Sequence, residues 1–372
     1  MTRTCETGRT SHPATRLSLW LAAVVLVAGP RAQQPALDPG FEVVQLAPGV
    51  HTIIRTGPPG LFPVANAGFI VNADDVVVVD TGGTPGDAKA WLAALRRITP
   101  KPVSHVINTH WHDDHTMGNA VFRDAFPKAQ FVGHARMAGE VKAVAEADRN
   151  RLQQMMPMMT KQLRVAVEQK KNFDGLPLSD DERHSHLNDV AGWERFASET
   201  QNVPAVPPSV TVTDRLTITR GKRVIDVRYL GPGHTNEDLV VHLPQEQIVF
   251  TGDLVTAPVP MLGPASHLTE YPATLAALAA LKPSVLVPGH GGIRKGLDYA
   301  ALESRAMTEL LAAVRTPAVS GSTLPQLRKT VRVPELEKAF AGDSQLIKFL
   351  FDFQFRSPGL SVAYREATQG KK

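Results

Sequence analysis

Residues 110–115 of this sequence, His-Trp-His-Asp-Asp-His, contain enough imidazole and carboxylate groups to bind a metal ion. They follow a β-branched segment, Val103 to Asn108, that is typical of a buried strand. His110 and His112 point to the same side of an extended chain, and the other candidate ligands come from the turn that follows. A solvated polar loop is the alternative interpretation, but a divalent cation compensates best for so many crowded imidazoles and carboxylates. The motif therefore predicts a metal site at the end of this strand.

Three more candidate ligands follow apolar segments further along the chain, each beside glycine. His234 lies in Gly-Pro-Gly-His-Thr, Asp253 in Thr-Gly-Asp, and His290 in Pro-Gly-His-Gly. Glycine lets the backbone turn sharply at such positions. Taken alone, each residue is typical of a turn or a helix cap. Together with the first motif, they predict one set of ligands that converges from several strand ends.

With these residues in this order, the chain resembles the metallo-β-lactamase fold superfamily over about Phe41 to Arg315. The resemblance implies an α+β fold, a four-layer αββα sandwich with its metal site at one edge. It also implies two Zn(II) ions, although the same donor set accepts iron or manganese. The ligands it implies are His110, His112 and His234 for one ion, and Asp114, His115 and His290 for the other, with Asp253 bridging both.

The same resemblance implies the chemistry. A pair of Zn(II) ions lowers the pKa of a bridging water towards neutrality and supplies a hydroxide for attack on a substrate. Asp114 is predicted to hold and orient this hydroxide, which makes it the predicted catalytic residue. Asp80 matches an aspartate that orients the ligand loops without binding metal. We therefore expect a metal-dependent hydrolase that acts on the amide, ester, lactone or thioester carbonyl of a small molecule.

Two other functions stay open at this point. The segment around His234 is similar to that of zinc β-lactamases, which favours a true β-lactamase acting on β-lactam antibiotics. Two departures weaken it, because Asp253 replaces the cysteine ligand of the best-known secreted β-lactamases and Thr256 replaces the lysine that pairs with the drug carboxylate. A non-catalytic metal-binding scaffold is the other alternative, which a complete ligand set disfavours. His267 is a candidate residue of the substrate pocket.

Composition and the first residues predict where the protein acts. The chain has 372 residues, of which 43% are hydrophobic and 20% charged, as is typical of folded domains. Residues 1–32 have the order of a secretory signal peptide, with arginines before an apolar run, Leu17 to Gly29, that is shorter than the ~20 residues of a membrane span. We expect a periplasmic or secreted protein, without stable membrane insertion after cleavage.

Two further exclusions follow from composition. The only cysteine, Cys5, lies in this leader, so the mature chain has no thiolate ligand, disulfide or cysteine nucleophile. After residue 32 the basic and acidic side chains nearly balance, which disfavours a nucleic-acid partner.

The remaining segments predict the domain organisation. A metallo-β-lactamase-fold domain is expected over 41–315, with a helical insertion at about 135–200, and a helical extension over 316–372. The insertion contains the methionine cluster of residues 155–159, which we interpret as a lid or an apolar lining. His184 and His186 are expected in a solvated, charged loop. Residues Ser209 to Ile218 are expected to form one strand.

Overall fold

The apolar segments of the first half form one sheet in the computed structural model, which describes residues 40–142 and 146–369. Its strands β1 to β7 span Phe41–Ala47, Val50–Arg55, Ala67–Val71, Val76–Val79, Val103–Ile107, Gln130–His134 and Val210–Val212. They lie side by side in chain order. The pairs from β1 to β4 are antiparallel, and those from β4 to β7 are parallel.

The second half forms a second sheet. Its strands β8 to β13 span Arg215–Arg220, Arg223–Tyr229, Leu239–Leu243, Ile248–Thr256, Val285–His290 and Arg294–Lys295. They also lie in chain order, from β8 at one edge to β13 at the other. The pair β11 and β12 is parallel, whereas the other pairs are antiparallel.

Alternating side chains along the central strands separate three apolar layers. Val77 of β4 packs between the two sheets, while its neighbour Val76 packs under helices on the outer face. Val241 and Val240 of β10 divide in the same way between the inner layer and the outer face of the second sheet. A strand covered on both faces needs such a continuous apolar run. The predicted four-layer αββα sandwich is thereby confirmed.

Helices cover the outer faces of both sheets. Helices α1 to α6 span Pro85–Ile98, Asp113–Thr116, Asn119–Ala125, Met137–Glu140, Glu146–Gln169 and Asp180–Glu199. Helices α7 to α12 span Tyr271–Ala280, Asp298–Val319, Leu324–Thr330, Pro334–Ala341, Gln345–Leu350 and Ser357–Gln369. A π-helical segment, Phe351–Arg356, joins α11 to α12. None of the helices in the described part of the chain is long and apolar enough to cross a membrane.

The predicted helical insertion consists mainly of the α5–α6 hairpin. A capping box of Ser179 and Glu182 starts α6. The buried carboxylate of Asp189 on α6 then accepts hydrogen bonds from the backbone N–H groups of Leu61 and Phe62, at 2.8 and 3.0 Å. These bonds attach the insertion to the segment before β3. Leu61 and Phe62 of this segment also line the cavity described below.

Two local predictions were wrong, one in this insertion and one in the segment that follows it. His186 lies on α6 rather than in a loop, and it is 2% exposed against the rings of Phe173 and Phe349. The helical period carries it onto the buried face, whereas His184 stays exposed. The expected single strand from Ser209 to Ile218 is two strands, because β7 pairs with β6 and β8 pairs with β9 in the other sheet.

The C-terminal helices share one core with the rest of the molecule. Leu336, Leu350 and Leu360 are fully buried in the same apolar cluster as Leu310 of α8 and Leu286 of β12. The predicted boundary between residues 315 and 316 therefore falls inside α8, at a point where packing is continuous. The predicted leader, residues 1–32, lies outside the described residues.

Candidate metal centre

The carboxylate of Asp80, which directly follows β4, positions the first ligand motif at the end of β5. Its two oxygens accept hydrogen bonds from the backbone N–H and the hydroxyl of Thr109, each at 2.8 Å. Asp113 turns away from the site and forms a bidentate ion pair with Arg149 of α5, at 2.8 and 3.0 Å. The motif loop is thereby fixed on one side to the sheet and on the other to the insertion.

Four predicted ligands form a first group. One potential ligand atom from each of His110, His112, His234 and Asp253 lies within 4.8 Å of the others. Nδ1 of His112 is 2.9 Å from Nε2 of His110 and 3.0 Å from Nε2 of His234. Three ring nitrogens that converge in this way can supply three ligands to one metal ion.

The other three predicted ligands, Asp114, His115 and His290, form a second group, again with atoms within 4.8 Å of one another. Oδ2 of Asp114 is 3.1 Å from Nε2 of His290 and 3.6 Å from Nε2 of His115. Asp253 reaches this group too, with Oδ1 3.2 Å from Nε2 of His115 and Oδ2 3.4 Å from Nε2 of both His290 and His234. Its carboxylate therefore lies between the two groups.

Hydrogen bonds to the far side of three rings orient them towards the site. Nδ1 of His234 donates to the backbone oxygen of Met261 at 2.9 Å, and Nδ1 of His290 donates to that of Val64 at 3.1 Å. Nδ1 of His115 lies 2.8 Å from Oδ2 of Asp80. Because a carbonyl oxygen only accepts, Nδ1 keeps its proton, and Nε2 is the ring atom that faces the site and can bind a metal once it carries no proton.

Buried atoms without hydrogen-bond partners test whether this site fits a metal. Nε2 of His115, Nε2 of His290 and Oδ1 of Asp253 are buried, and although they lie close to oppositely charged groups, their geometry forms no hydrogen bond. Leaving buried polar atoms unpaired costs free energy, so such atoms call for a partner. A cation in contact with all three supplies one, and their nitrogen and oxygen donors suit Zn(II), iron or manganese. The residues therefore fit a metal.

The two groups differ in how they hold protons. Burial and the neighbouring imidazoles lower the pKa of His112 to about 3 and that of His110 well below its usual value. Burial also lowers the pKa of His290, but Asp253 and Asp114 outweigh it and raise the value to about 9. In the same way, nearby carboxylates raise the pKa of His115 well above its usual value. Protons and metal therefore compete more strongly at the second group.

Two glycines make room for Asp253 between the two ligand groups. Gly252 has φ of +52° at a bulge in the pairing of β11 with β12. After this bulge β11 continues to Thr256, so Asp253 lies inside the strand. A Cβ atom at Gly289 of β12 would lie 1.9 Å from Oδ1 of Asp253. Close packing of these two strands thus requires glycine at 289.

The ligand groups open into a cavity of about 630 Å³. Asp114 is the more accessible of the two carboxylates, with 15% of its side chain exposed against 2% for Asp253. His267, the sequence-predicted pocket residue, lies in a neighbouring cavity of about 560 Å³ that shares Trp111, Pro264 and Arg365 with the first. His267 therefore lines the neighbouring cavity and is absent from the lining of the one that contains the ligand groups.

Sequence reasoning missed the residues that support the ligands from behind. Glu237 is buried and accepts a hydrogen bond of 2.6 Å from the backbone N–H of Trp111, between two of the ligands. Burial and the adjacent Asp238 raise the pKa of Glu237 to about 9, so it is neutral at pH 7. Its position three residues after His234 was the only available signal. The carbonyls of Met261 and Val64 gave none, because every residue has one.

Comparison with known proteins identifies the family. A linear primary-alkylsulfatase from Pseudomonas sp. is 22% identical over 275 residues, which is 70% of this chain and 48% of that protein. A type 2 metallo-beta-lactamase from Bacteroides fragilis is 36% identical over 101 residues, 26% of this chain and 38% of that protein. The chain thus spans about half, or less, of the length of the curated relatives it matches. Both relatives are, by name, hydrolases.

The match in fold extends over most of the chain. The crystal structure of VMB-1 covers 73% of this chain and 98% of VMB-1, with a TM-score of 0.50 at 15% identity, which is a likeness of fold alone. The family model of the metallo-beta-lactamase superfamily matches residues 61–290, which includes Asp80 and every predicted ligand. The resemblance predicted from the motifs is thereby confirmed, and this chain belongs to the metallo-β-lactamase superfamily.

Proposed function

We propose that this protein is an exported hydrolase that binds two metal ions and activates water for attack on an amide, ester, lactone or thioester carbonyl. The observation that carries the proposal is the position of Asp253. Its two oxygens lie 3.2 to 3.4 Å from imidazole nitrogens of both ligand groups. A carboxylate shared in this way supports two neighbouring ions, each with its own set of protein ligands.

Each protein group has a distinct part in this proposal. Bound Zn(II) lowers the pKa of water and polarises a carbonyl oxygen. Asp114 borders the cavity and is partly exposed, so its carboxylate is placed to orient the attacking water and accept its proton. Asp80 and the carbonyls of Met261 and Val64 hold the imidazoles so that little reorganisation accompanies the reaction.

Loss of ligands tests this proposal directly. His110→Ala or Asp253→Ala is expected to abolish hydrolysis and to lower the metal content measured by plasma emission, because each removes a donor that no neighbour replaces. His184→Ala is the matched control, since this histidine is exposed on α6 and outside both ligand groups. Full activity and full metal content in both ligand variants would contradict the proposal.

Turnover of β-lactams is a second candidate, favoured by the match to the Bacteroides fragilis enzyme. The side chain of Thr256 does not compensate for a missing lysine, because its hydroxyl donates to Val259 and accepts from the N–H of Met261. Among the described residues that line the cavity, the cationic side chains are Arg151 and Arg365. A β-lactam carboxylate without its lysine partner loses about 1.5–3 kcal/mol of binding free energy, so we expect weak β-lactam hydrolysis.

A substrate panel separates these functions. Metal-loaded protein is assayed with a carboxylic ester, a lactone, a thioester, a β-lactam and an alkyl sulfate, the last because one relative is named an alkylsulfatase. Turnover of the carbonyl substrates supports the proposal, and a preference for the β-lactam supports the second candidate. Tight binding without turnover of any of them identifies a non-catalytic scaffold.

Export has its own test. The order of residues 1–32 supports cleavage after Ala32 or near Gly29. N-terminal sequencing of the protein purified from its native host is expected to start in that region, from the periplasmic or secreted fraction. Recovery of Met1 at the N-terminus of the cytoplasmic protein would contradict export.

A further inference from the structure

The cavity that contains the ligand groups has apolar walls from three separate parts of the chain. The α5–α6 hairpin contributes the methionine and aromatic side chains Met155, Met156, Met159, Trp193 and Phe196. The C-terminal segment contributes Phe353 and Val362, and the loop before β3 contributes Leu61 and Phe62. These walls therefore combine the inserted helices with the C-terminal segment, and both of these lie outside the two sheets.

Some of these walls are exposed although they consist of large apolar side chains. Met155 is 37% exposed and Phe353 is 43% exposed, while Met156 beneath them is only 5% exposed. Exposed apolar groups clustered around a concave surface are typical of a binding site. Methionine adapts its shape to varied apolar partners, which suits a flexible chain better than a rigid ring.

The apolar walls and the ligand groups belong to one cavity. His112, Asp114, His234 and Asp253 line the same space as Met155 and Phe353. Its volume of about 630 Å³ lies within the ~300–1,000 Å³ of sites for small molecules. A molecule with its carbonyl at the ligand groups would thus extend its remaining part along the methionine and aromatic walls.

We propose that the substrate is an acyl ester or thioester with a medium-length apolar chain, and that this chain binds between the α5–α6 hairpin and the C-terminal helices. The choice of an ester or thioester as the reacting group rests on the proposed function, whereas the binding site for the apolar chain does not. In the reaction, the oxygen of water bonds to the acyl carbon and the C–O or C–S bond breaks. The products are the carboxylic acid and the alcohol or thiol, which takes up the remaining proton.

A series of p-nitrophenyl esters from acetate to decanoate measures the contribution of the chain. Each added methylene is expected to raise kcat/KM about fourfold until the cavity is filled, mainly through a lower KM, because each methylene leaves water. A flat series, or one that falls with chain length, would overturn the proposal.

Two matched pairs of variants locate the chain. Met155→Gln and Phe353→Ser change residues that line the cavity, while Met158→Gln and Phe173→Ser change residues that do not, at 63% and 49% exposure. The first two are expected to lower kcat/KM for the decanoate roughly tenfold more than for the acetate. The controls are expected to retain the chain-length dependence. Equal effects on both esters, or in both pairs, would contradict the assigned position.

Binding without turnover separates this inference from the proposed function. A fatty acid with a terminal bromine is expected to quench the fluorescence of Trp193, which lines the cavity. The quenching should decrease in Trp193→Phe and persist in Trp91→Phe, whose ring lies under the first sheet. Quenching without ester hydrolysis would contradict the proposed function and support the apolar binding site. Ester hydrolysis without quenching would support the proposed function and contradict the apolar binding site.

The same variants exclude another occupant of the walls. If a second copy of the chain covered them, Met155→Gln and Phe353→Ser would convert a dimer to a monomer in analytical ultracentrifugation, with no quenching in the parent protein. That result would overturn the proposal. A sedimentation coefficient that is the same in the parent and in both variants, together with quenching, supports it.

Discussion

At the scale of single residues, the ligand set was predictable because its side chains are chemically rare and close in sequence. Four of them come from one hexapeptide, and the other three follow apolar segments and lie beside glycines. The structure brings the seven into two adjoining groups. The hydrogen bonds that orient the ligand rings were not predictable from the sequence, because backbone oxygens of Met261 and Val64 accept two of them. Those partners follow from tertiary packing alone.

Asp80 offers a test of this outer support. Asp80→Asn keeps the shape of the side chain, and asparagine tolerates the φ of +58° at this position. It removes the negative charge 2.8 Å from Nδ1 of His115. We expect metal affinity at the second group to fall about 10–100-fold, measured by competition with a chromophoric chelator. Asp124→Asn, at an exposed surface carboxylate, is expected to bind metal as the parent does; equal affinities in all three proteins would contradict this role.

Asp75 predicts a pH dependence of stability away from the site. Burial opposes its ionisation, but hydrogen bonds from Ser104, Arg220 and Asn72 outweigh it and lower the pKa of Asp75. Because the folded pKa lies below the unfolded value of about 3.9, the stabilisation is present above that pH and is lost as pH falls through the folded pKa. Asp75→Asn should therefore lower the free energy of unfolding by about 1–3 kcal/mol at pH 7.

Urea denaturation at several pH values checks this expectation. The difference between parent and Asp75→Asn should shrink steadily below about pH 4. A difference that stays constant down to pH 3 would show that the charge of Asp75 does not stabilise the fold.

At the scale of elements, most strands and helices were predictable from apolar periodicity, and the errors have physical causes. The 209–218 segment alternates like one strand, but the chain crosses between sheets at residues 213–214, where a pattern of period two gives no signal. Asp253 was expected at a strand end, but it lies inside β11, because the pairing with β12 continues past a bulge at Gly252. The buried face of α6 was hidden by charged residues on both sides of His186.

The contact between β11 and β12 makes a sharp prediction. Gly289→Ala would place a methyl group 1.9 Å from Oδ1 of Asp253 and 2.7 and 2.9 Å from backbone atoms of Gly252 and Asp253, so the carboxylate and the β11 backbone must shift away from their present positions. We expect loss of metal and of activity in a protein that is still folded by circular dichroism. Gly292→Ala is the matched control, because no atom lies within 4 Å of the added methyl group. Normal metal binding by Gly289→Ala would show that Asp253 does not need this position.

At the scale of the whole molecule, the layered architecture was predictable because continuous β-branched runs require cover on both faces. The contribution of the C-terminal helices to the apolar core was not predictable from the sequence. Their apolar residues pack with α8 and the outer face of the second sheet, and Phe353 and Val362 also reach the cavity. Long-range packing of this kind has no local signature, and it makes these helices part of both the fold and the candidate site.

This packing predicts a large loss of stability from a single change in α12. Leu360 is fully buried against the core shared with α8. Leu360→Ala is expected to lower the free energy of unfolding by about 2–5 kcal/mol in urea titration. Leu187→Ala, at 41% exposure on α6, is expected to change it far less. Similar losses in the two variants would mean that α12 is only loosely attached.

Anomalous X-ray diffraction at the zinc absorption edge, from crystals of the zinc-loaded protein, locates the bound ions directly. If two ions bind, we expect two peaks, one about 2.0–2.1 Å from nitrogens of His110, His112 and His234 and the other at the same distance from those of His115 and His290. Oxygens of Asp253 should contact both. A single peak, or zinc bound away from these residues, would contradict a two-metal centre at this site.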